Sequence, residues 1–256
     1  MKKHTIQVDA EMCIGCGLCV SDCPVSDIAI IKQKAVVKAT NCIYCGHCVA
    51  ICPKNAICMS GFKEYPKNID KKTVLNPQLL MESIRTRRSI RHFKDHSIDP
   101  EIIAQIIKAG RLSPTAKNAQ DVSYIVLENN KEEYEKIAVS FLKNIKKFLG
   151  IIRPSLKDID IDDSFLFKKA PVVIVILSES NINGVLAAAH MALMAEAHDL
   201  GVLHSGYFTF AANYSRKLRK ALSLNSGKVA TTLVLGYSNV VYRRTPQREP
   251  AVVRYM

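Results

Sequence analysis

The pattern of apolar and polar positions divides the chain into a first stretch of short apolar runs and a longer remainder with regular periodicity. Pro171-Val172-Val173-Ile174-Val175-Ile176-Leu177 is unbroken and β-branched, the pattern of a strand buried on both faces. Ser123 to Glu128 and Val229 to Tyr237 read as further strands. Asp99-Pro100-Glu101 supplies an N-cap with proline at the first helical position, and Ile102, Ile103, Ile106 and Ile107 then give one apolar helical face before Gly110 closes it. Leu79 to Ile84 predicts a helix ending near a group of arginines, and Asn183 to Leu200 a helix apolar nearly all round, central to a core or a dimer. Helices outnumber strands and do not alternate regularly with them, so the fold class is α+β. The longest apolar helical candidate, Val185 to Ala195, contains His190 and falls short of a membrane span, which predicts a soluble protein without membrane contact.

The first sixty residues carry only two short apolar strands, beginning at Asp27-Ile28-Ala29-Ile30 and Asn55-Ala56-Ile57, but they hold all nine cysteines. Cys13, Cys16, Cys19 and Cys23-Pro24 are followed by Cys42, Cys45, Cys48 and Cys52-Pro53 at the same spacing. Thiolates at these intervals on a tight loop converge on one inorganic cube, while the fourth cysteine of each run reaches the neighbouring cube. Two [4Fe–4S] clusters follow, one on Cys13, Cys16, Cys19 and Cys52, the other on Cys42, Cys45, Cys48 and Cys23. Structural zinc usually takes two separated ligand pairs, which this spacing does not match. Disulfides would suit a secreted protein, yet Met1-Lys2-Lys3-His4 is followed by no apolar signal core, so a reducing, cytoplasmic location is expected. The ninth cysteine, Cys58, reads as a small packed residue. This stretch resembles a bacterial two-cluster ferredoxin, a module that passes single electrons and depends on its clusters to hold together.

With 256 residues, the chain has room for a full second domain: 1–61 as the ferredoxin-like domain, 62–78 as a polar linker with Pro66 and Pro77, and 79–256 as the remainder. The formal charge of +13 first suggests nucleic acid. Two clusters, at about −2 each, already lower that balance, so the side chains overstate how basic the holoprotein is. The basic runs at Lys63 to Lys72, Arg85 to Arg91, Lys143 to Lys147 and Arg243-Arg244 accompany no nucleic-acid motif and read as solvated faces. An acidic redox partner is a better use for the residual charge.

Arg87-Arg88-Ser89-Ile90-Arg91 offers guanidinium forks and a hydroxyl suited to a phosphate, or alternatively a solvated basic turn. Three more segments follow it: Ser113-Pro114-Thr115-Ala116-Lys117-Asn118-Ala119-Gln120, the Ala-rich helix ending Asp199-Leu200-Gly201, and Leu235-Gly236-Tyr237 with its basic tail. In this order and spacing they resemble the FMN-dependent nitroreductase family, over roughly residues 79 to 256. The whole chain is similar to the family's ferredoxin-fused branch.

The resemblance implies an α+β homodimer with FMN at the subunit interface. It assigns Arg87 and Ser89 to the ribityl phosphate or hydroxyls, with Arg88 beside them and Arg91 near the pyrimidine edge, where a cation stabilises the reduced ring. Pro114, Thr115, Ala116 and Asn118 would come from the partner subunit, and Leu203, His204, Ser205 and Gly206 would line the buried face. Arg244 and Arg248, with Arg243 as an alternative, would finish the phosphate clamp. Asp121-Val122 stands where Pro-Trp is usual, Asp199 where glycine is common and His190 where asparagine is common, which bears on substrate shape more than on FMN. No catalytic side chain is assigned, since flavin chemistry needs no protein base to move electrons. The function implied is an oxidoreductase taking electrons from a ferredoxin or NAD(P)H and passing them to a small oxidised acceptor. That acceptor would be a nitroaromatic, quinone, enone or free flavin. The alternative is an electron carrier serving a protein partner or iron, with no small substrate of its own.

Overall fold

The computed structural model describes residues 4–71, 73–152 and 160–256. Met1-Lys2-Lys3 and Lys72, used in the reading above, lie outside the described residues. Two compact units emerge. The first takes Met1–Val74 together with Thr115–Ala119, and the second takes Leu75–Pro114 and Gln120–Met256.

In the first unit β1 (Ile6–Val8) and α1 (Leu18–Ser21) are followed by β2 (Ile28–Ile31), β3 (Lys34–Val37), α2 (His47–Ile51) and β4 (Ile57–Met59). β1 pairs antiparallel with β4, and β2 with β3. Both short helices start behind a glycine in the left-handed region, Gly17 at φ 77° and Gly46 at φ 78°, which lets the chain turn sharply after the second cysteine of each run. The small core consists of Cys13, Cys19, Cys48, Ile28, Ala35, Ala56 and Ile57, so three of its seven buried members are cysteines.

The second unit begins with α3 (Pro77–Thr86) and α4 (Pro100–Arg111). Both are capped as their sequences require: Asn76 Oδ1 accepts the Leu79 N–H at 3.0 Å, and Asp99 Oδ1 accepts the Glu101 N–H at 2.8 Å. Gly110 does not close α4. It lies buried inside the last turn, where a Cβ would stand 2.7 Å from Met191 Sδ and 2.6 Å from the Tyr124 hydroxyl, so it serves close packing.

Beyond α4 come β5 (Ser123–Leu127), α5 (Lys131–Ile152), β6 (Val172–Ser178), α6 (Asn181–Ala197), β7 (Leu200–His204), α7 (Gly206–Tyr214), α8 (Arg216–Ala221) and β8 (Lys228–Tyr237). The sheet is antiparallel throughout in the order β5-β6-β8-β7. Its period of two sorts β6 between two cores. Val173 and Val175 face Ala138, Val139, Phe208 and Leu218, whereas Val172, Ile174 and Ile176 face Ile106, Met191 and Ala195.

The helix expected from Asn183 to Leu200 ends earlier, at Ala197. Asp199, at φ 57°, turns the chain back and Leu200 starts β7. That left-handed turn accounts for the preference for glycine at this position, and aspartate is among the side chains that tolerate it.

Candidate functional site

The eight cysteines surround two cavities. Cys13, Cys16, Cys19 and Cys52 line one, and Cys23, Cys42, Cys45 and Cys48 line the other, the crossed arrangement expected from the spacing. Backbone amides point at the sulfurs: Ala35 N–H to Cys13 Sγ at 3.3 Å, Asp27 N–H to Cys23 Sγ at 3.3 Å, Tyr44 N–H to Cys42 Sγ at 3.4 Å and Ala56 N–H to Cys52 Sγ at 3.3 Å.

The amides of Ala35 and Gly15 hold the Cys13 thiol below its ordinary pKa, whereas burial pushes Cys19 and Cys42 up and Cys48 up to about 11. Such buried thiols ionise when a metal centre replaces their protons. Four sulfurs around a cavity, with amides aimed at them, fit a cube of iron and sulfide. Among the described residues, no three His, Cys, Asp or Glu side chains gather closely enough for a single ion.

The second unit has its own cleft, of about 730 Å³, within the size range of small-molecule sites. Gly201 explains how it is assembled: its missing side chain lets Ile90 approach so closely that a Cβ would lie 2.6 Å from Ile90 Cγ1. Ile90 N–H donates to Val202 O at 3.0 Å and Ser89 bridges to Val202, so the arginine-rich segment runs beside β7. Arg91 thereby meets Leu203, His204, Ser205 and Gly206 around the cleft. Gly206 opens α7 with free space where a side chain would stand, leaving the backbone accessible at a helix N-terminus, a favourable place for an anion.

Sequence reasoning missed the other walls. Phe165, Lys168, Lys146, Tyr207 and Phe210 complete the cleft. Glu135, only 4% exposed, positions part of this wall by accepting the N–H groups of Leu166 (2.8 Å) and Phe167 (2.7 Å). Burial raises its pKa against the lowering effect of those two amides. Ser205 Oγ–H donates to Leu166 O at 3.1 Å, fixing the same turn against β7. His204 keeps an exposed surface at the cleft, yet the protein atoms packed around its ring desolvate it and, with the Arg87 charge, lower its pKa and favour the neutral ring.

The remaining expected residues are distributed differently. Arg87 Nε donates to Glu196 Oε1 at 2.9 Å. Arg88 Nη1–H donates to Arg87 O at 2.5 Å, while its Nη2 is buried with no partner among the described residues, a donor that a bound anion would satisfy. Pro114 belongs to the second unit but does not line the cleft. Thr115, Ala116 and Asn118 group with the first unit, where Asn118 Nδ2–H donates to Tyr44 O at 2.8 Å and Ile43 O at 3.3 Å. Arg244 and Arg248 stand exposed in an irregular tail and do not line the cleft. His190, noted for replacing a usual asparagine, bonds through Nδ1 to the Ser113 hydroxyl at 2.6 Å.

Paired four-cysteine sites in one unit, and in the other a cation-lined cleft on an antiparallel α+β scaffold, define an iron–sulfur redox protein of two-unit construction. The nitroreductase family model matches residues 84–237 and the 4Fe–4S dicluster domain model matches residues 5–53. The chain belongs to the nitroreductase family and carries a dicluster domain on its N-terminal side.

A protein of Methanothermobacter thermautotrophicus named as an NADH dehydrogenase/NAD(P)H nitroreductase is 25% identical over 138 residues, half of this chain and 61% of the relative's length. Among solved structures, a nitroreductase with bound FMN from Bacteroides fragilis superposes with a TM-score of 0.57 at 17% identity, over 71% of this chain and all of that one. A BluB-like flavoprotein from Clostridium difficile 630 gives 0.55 at 17% identity, over 67% and 94%. At such identities the likeness concerns the fold. No helix among the described residues is long and apolar enough to cross a membrane.

Proposed function

We propose that the protein is a cytoplasmic iron–sulfur flavoprotein oxidoreductase. In this reading it takes electrons from a ferredoxin-type or NAD(P)H donor and delivers them to a small oxidised organic acceptor such as a nitroaromatic, quinone, enone or flavin. Bound FMN would convert single electrons, the currency of the clusters, into two-electron reduction of the acceptor.

The carrying observation is the cleft where Arg91, His204 and the open backbone at Gly206 meet the aromatic walls Phe165, Tyr207 and Phe210. Arg91, Lys146 and Lys168 supply positive charge for a phosphate and for an electron-rich ring, and the aromatic residues supply apolar surface for a planar one. Arg88 Nη2 offers a further unsatisfied donor. An open, small-molecule-sized cleft supports an enzyme over a pure electron carrier.

A homodimer belongs to this reading. Ile182, Val185, Leu186 and Leu193 leave one face of α6 apolar and exposed, and the tail exposes Val241, Val252 and Tyr255. The tail arginines Arg244 and Arg248, and the segment Pro114 to Asn118, would then serve the partner's flavin.

The test is an anaerobic spectrum of the purified protein with iron, sulfide and flavin quantified. NADH, NADPH or reduced ferredoxin is then added. About eight irons and about one FMN per chain, with flavin bleaching after cluster reduction, is the expected result. Iron without flavin would overturn the flavoprotein reading.

A further inference from the structure

Asn118 holds the loop between the first two cysteines of the second run, and its geometry reaches a cluster sulfur. Its Nδ2 lies 2.8 Å from Tyr44 O and 3.3 Å from Ile43 O, both acceptors, so only the NH₂ end of the amide can face them. Ile43 O belongs to the same peptide unit as the Tyr44 N–H, and that N–H points at Cys42 Sγ from 3.4 Å. A donor on the oxygen of an amide polarises the group and strengthens the bond its N–H makes at the other end.

Both sides of the contact hold uncommon backbone conformations. Tyr44 sits at φ 51°, Lys117 at φ 54° and Asn118 at φ 52°. Non-glycine residues persist in this region where the surroundings over-determine them, commonly at functional positions. The segment is also closed on itself, since Asn118 N–H donates to Thr115 O at 3.0 Å and Ala119 N–H to Ala116 O at 3.1 Å. Its two ends continue covalently into α4 and β5. The first run is held by different means: Lys34 Nζ donates to Cys13 O at 2.7 Å, and a Cβ on Gly15 would meet Gln33 O at 2.3 Å.

We propose that Asn118 is a positioning residue for the second cluster, tuning its reduction potential through the Ile43–Tyr44 peptide while leaving the first cluster alone. Hydrogen bonds to cluster sulfurs favour the more negative, reduced state and so raise the potential. Asn118 therefore keeps the cluster held by Cys42, Cys45, Cys48 and Cys23 easier to reduce than it would be without the polarised Tyr44 N–H at Cys42 Sγ. The proposal rests on the assignment of clusters to the eight cysteines.

The experiment is EPR-monitored potentiometry on the full anaerobic holoprotein, comparing wild type with Asn118→Ala and Asn118→Gln. In the alanine variant one cluster's midpoint moves negative, so that at the wild-type midpoint its reduced-to-oxidised ratio falls about twofold or more, while the other cluster is unmoved. Glutamine, which retains the NH₂ group, restores part of the shift. Selective loss of one cluster in Asn118→Ala, read as about four irons in place of about eight, supports the same role. Unmoved midpoints, or both moving equally, overturn it, as does loss of both clusters together. Absence of any cluster signal in the wild type would refute the cysteine assignment itself, a result distinguishable from all of these.

Discussion

Asp121, which follows the nitroreductase-like Ser113 to Gln120 segment, makes a quantitative test of how the second unit is tied together. Its Oδ2 accepts the Ser178 hydroxyl at 2.7 Å and the N–H groups of Glu179 and Ser180 at 2.9 and 3.3 Å, while Oδ1 accepts Asn183 Nδ2–H at 2.7 Å. One carboxylate thus joins the start of β5 to the end of β6 and the first turn of α6. Burial alone would raise its pKa; the bonds from Ser178, Asn183 and the Ser180 amide outweigh that and bring it from 3.8 to about 2.

A folded-state pKa below the unfolded one contributes stability that is fully present above the unfolded value and fades as pH falls through the folded one. The difference corresponds to about 2.4 kcal/mol at pH 7, and solvent screening of a partly exposed group lowers it to about 1.5–2 kcal/mol. Asp121→Asn removes the charge while keeping the size and an oxygen that can still accept hydrogen bonds. It should lose about 2 kcal/mol, or about 4–8 °C in Tm for a unit of this size. Asp121→Ala, which strands several donors, should lose about 3–4 kcal/mol.

Urea denaturation followed by far-UV circular dichroism at pH 7 measures both losses. The gap between wild type and Asp121→Asn should shrink to about half by pH 3, because the carboxylate is then largely protonated in the unfolded chain while still mostly ionised in the folded one, so protonation favours the unfolded state. An asparagine variant as stable as wild type at pH 7, or a gap that does not change with pH, would refute the reasoning.

Further outcomes follow from the same structure. Glu135→Gln should stay within about 1 kcal/mol of wild type, because its Oε1 can accept both amides without burying charge, whereas Glu135→Ala should lose about 2–3 kcal/mol by denaturation. Because the folded pKa of Glu135 is raised, the wild type should gain on Glu135→Gln as pH falls from neutral towards 4.5, the reverse of the Asp121 case. Gly201→Ala should lose about 1–3 kcal/mol and retain less flavin after purification, with Ile90→Ala relieving part of the loss in a double-mutant cycle. Gly206→Ala, with open space around it, should fold normally yet also release flavin. Anaerobic chelation of iron should remove the circular dichroism of the first unit at room temperature, since three of its seven buried core residues are cluster cysteines.

Some of this was legible in the sequence because the signal is local. Cluster cysteines at fixed intervals declare themselves, and the crossed partners Cys23 and Cys52 follow from the same spacing. β6 is equally plain, as a β-branched run has few other uses. Ile102, Ile103, Ile106 and Ile107 place α4 for the same reason, though Gly110 at its end proved to be a packing position. α5 was not foreseen, because its charged residues, crowded around Lys143 to Lys147, blur the apolar stripe that carries Ala138, Val139 and Leu142 into the core. β7 was not foreseen, and its first residue, Leu200, was read into the preceding helix because apolar character continues across Asp199, where only the sign of φ marks the break.

Part of what the sequence left open has one cause: distant polar groups do the positioning. Phe165 and Lys168 reach the cleft on a turn whose amides bind a glutamate 31 residues earlier, and Asn118 meets Tyr44 across 74. Neither Glu135 nor Asn118 belongs to any periodic pattern, and each acts through a backbone group that no side-chain pattern can announce. A family motif can identify such a residue as important and still leave its partner open. For Asn118, the resemblance pointed to a flavin from the partner subunit, whereas its hydrogen bonds within this chain lead to Cys42. Both can hold only if the amide's donors and its carbonyl oxygen serve different partners, because its Nδ2–H groups already face Ile43 and Tyr44.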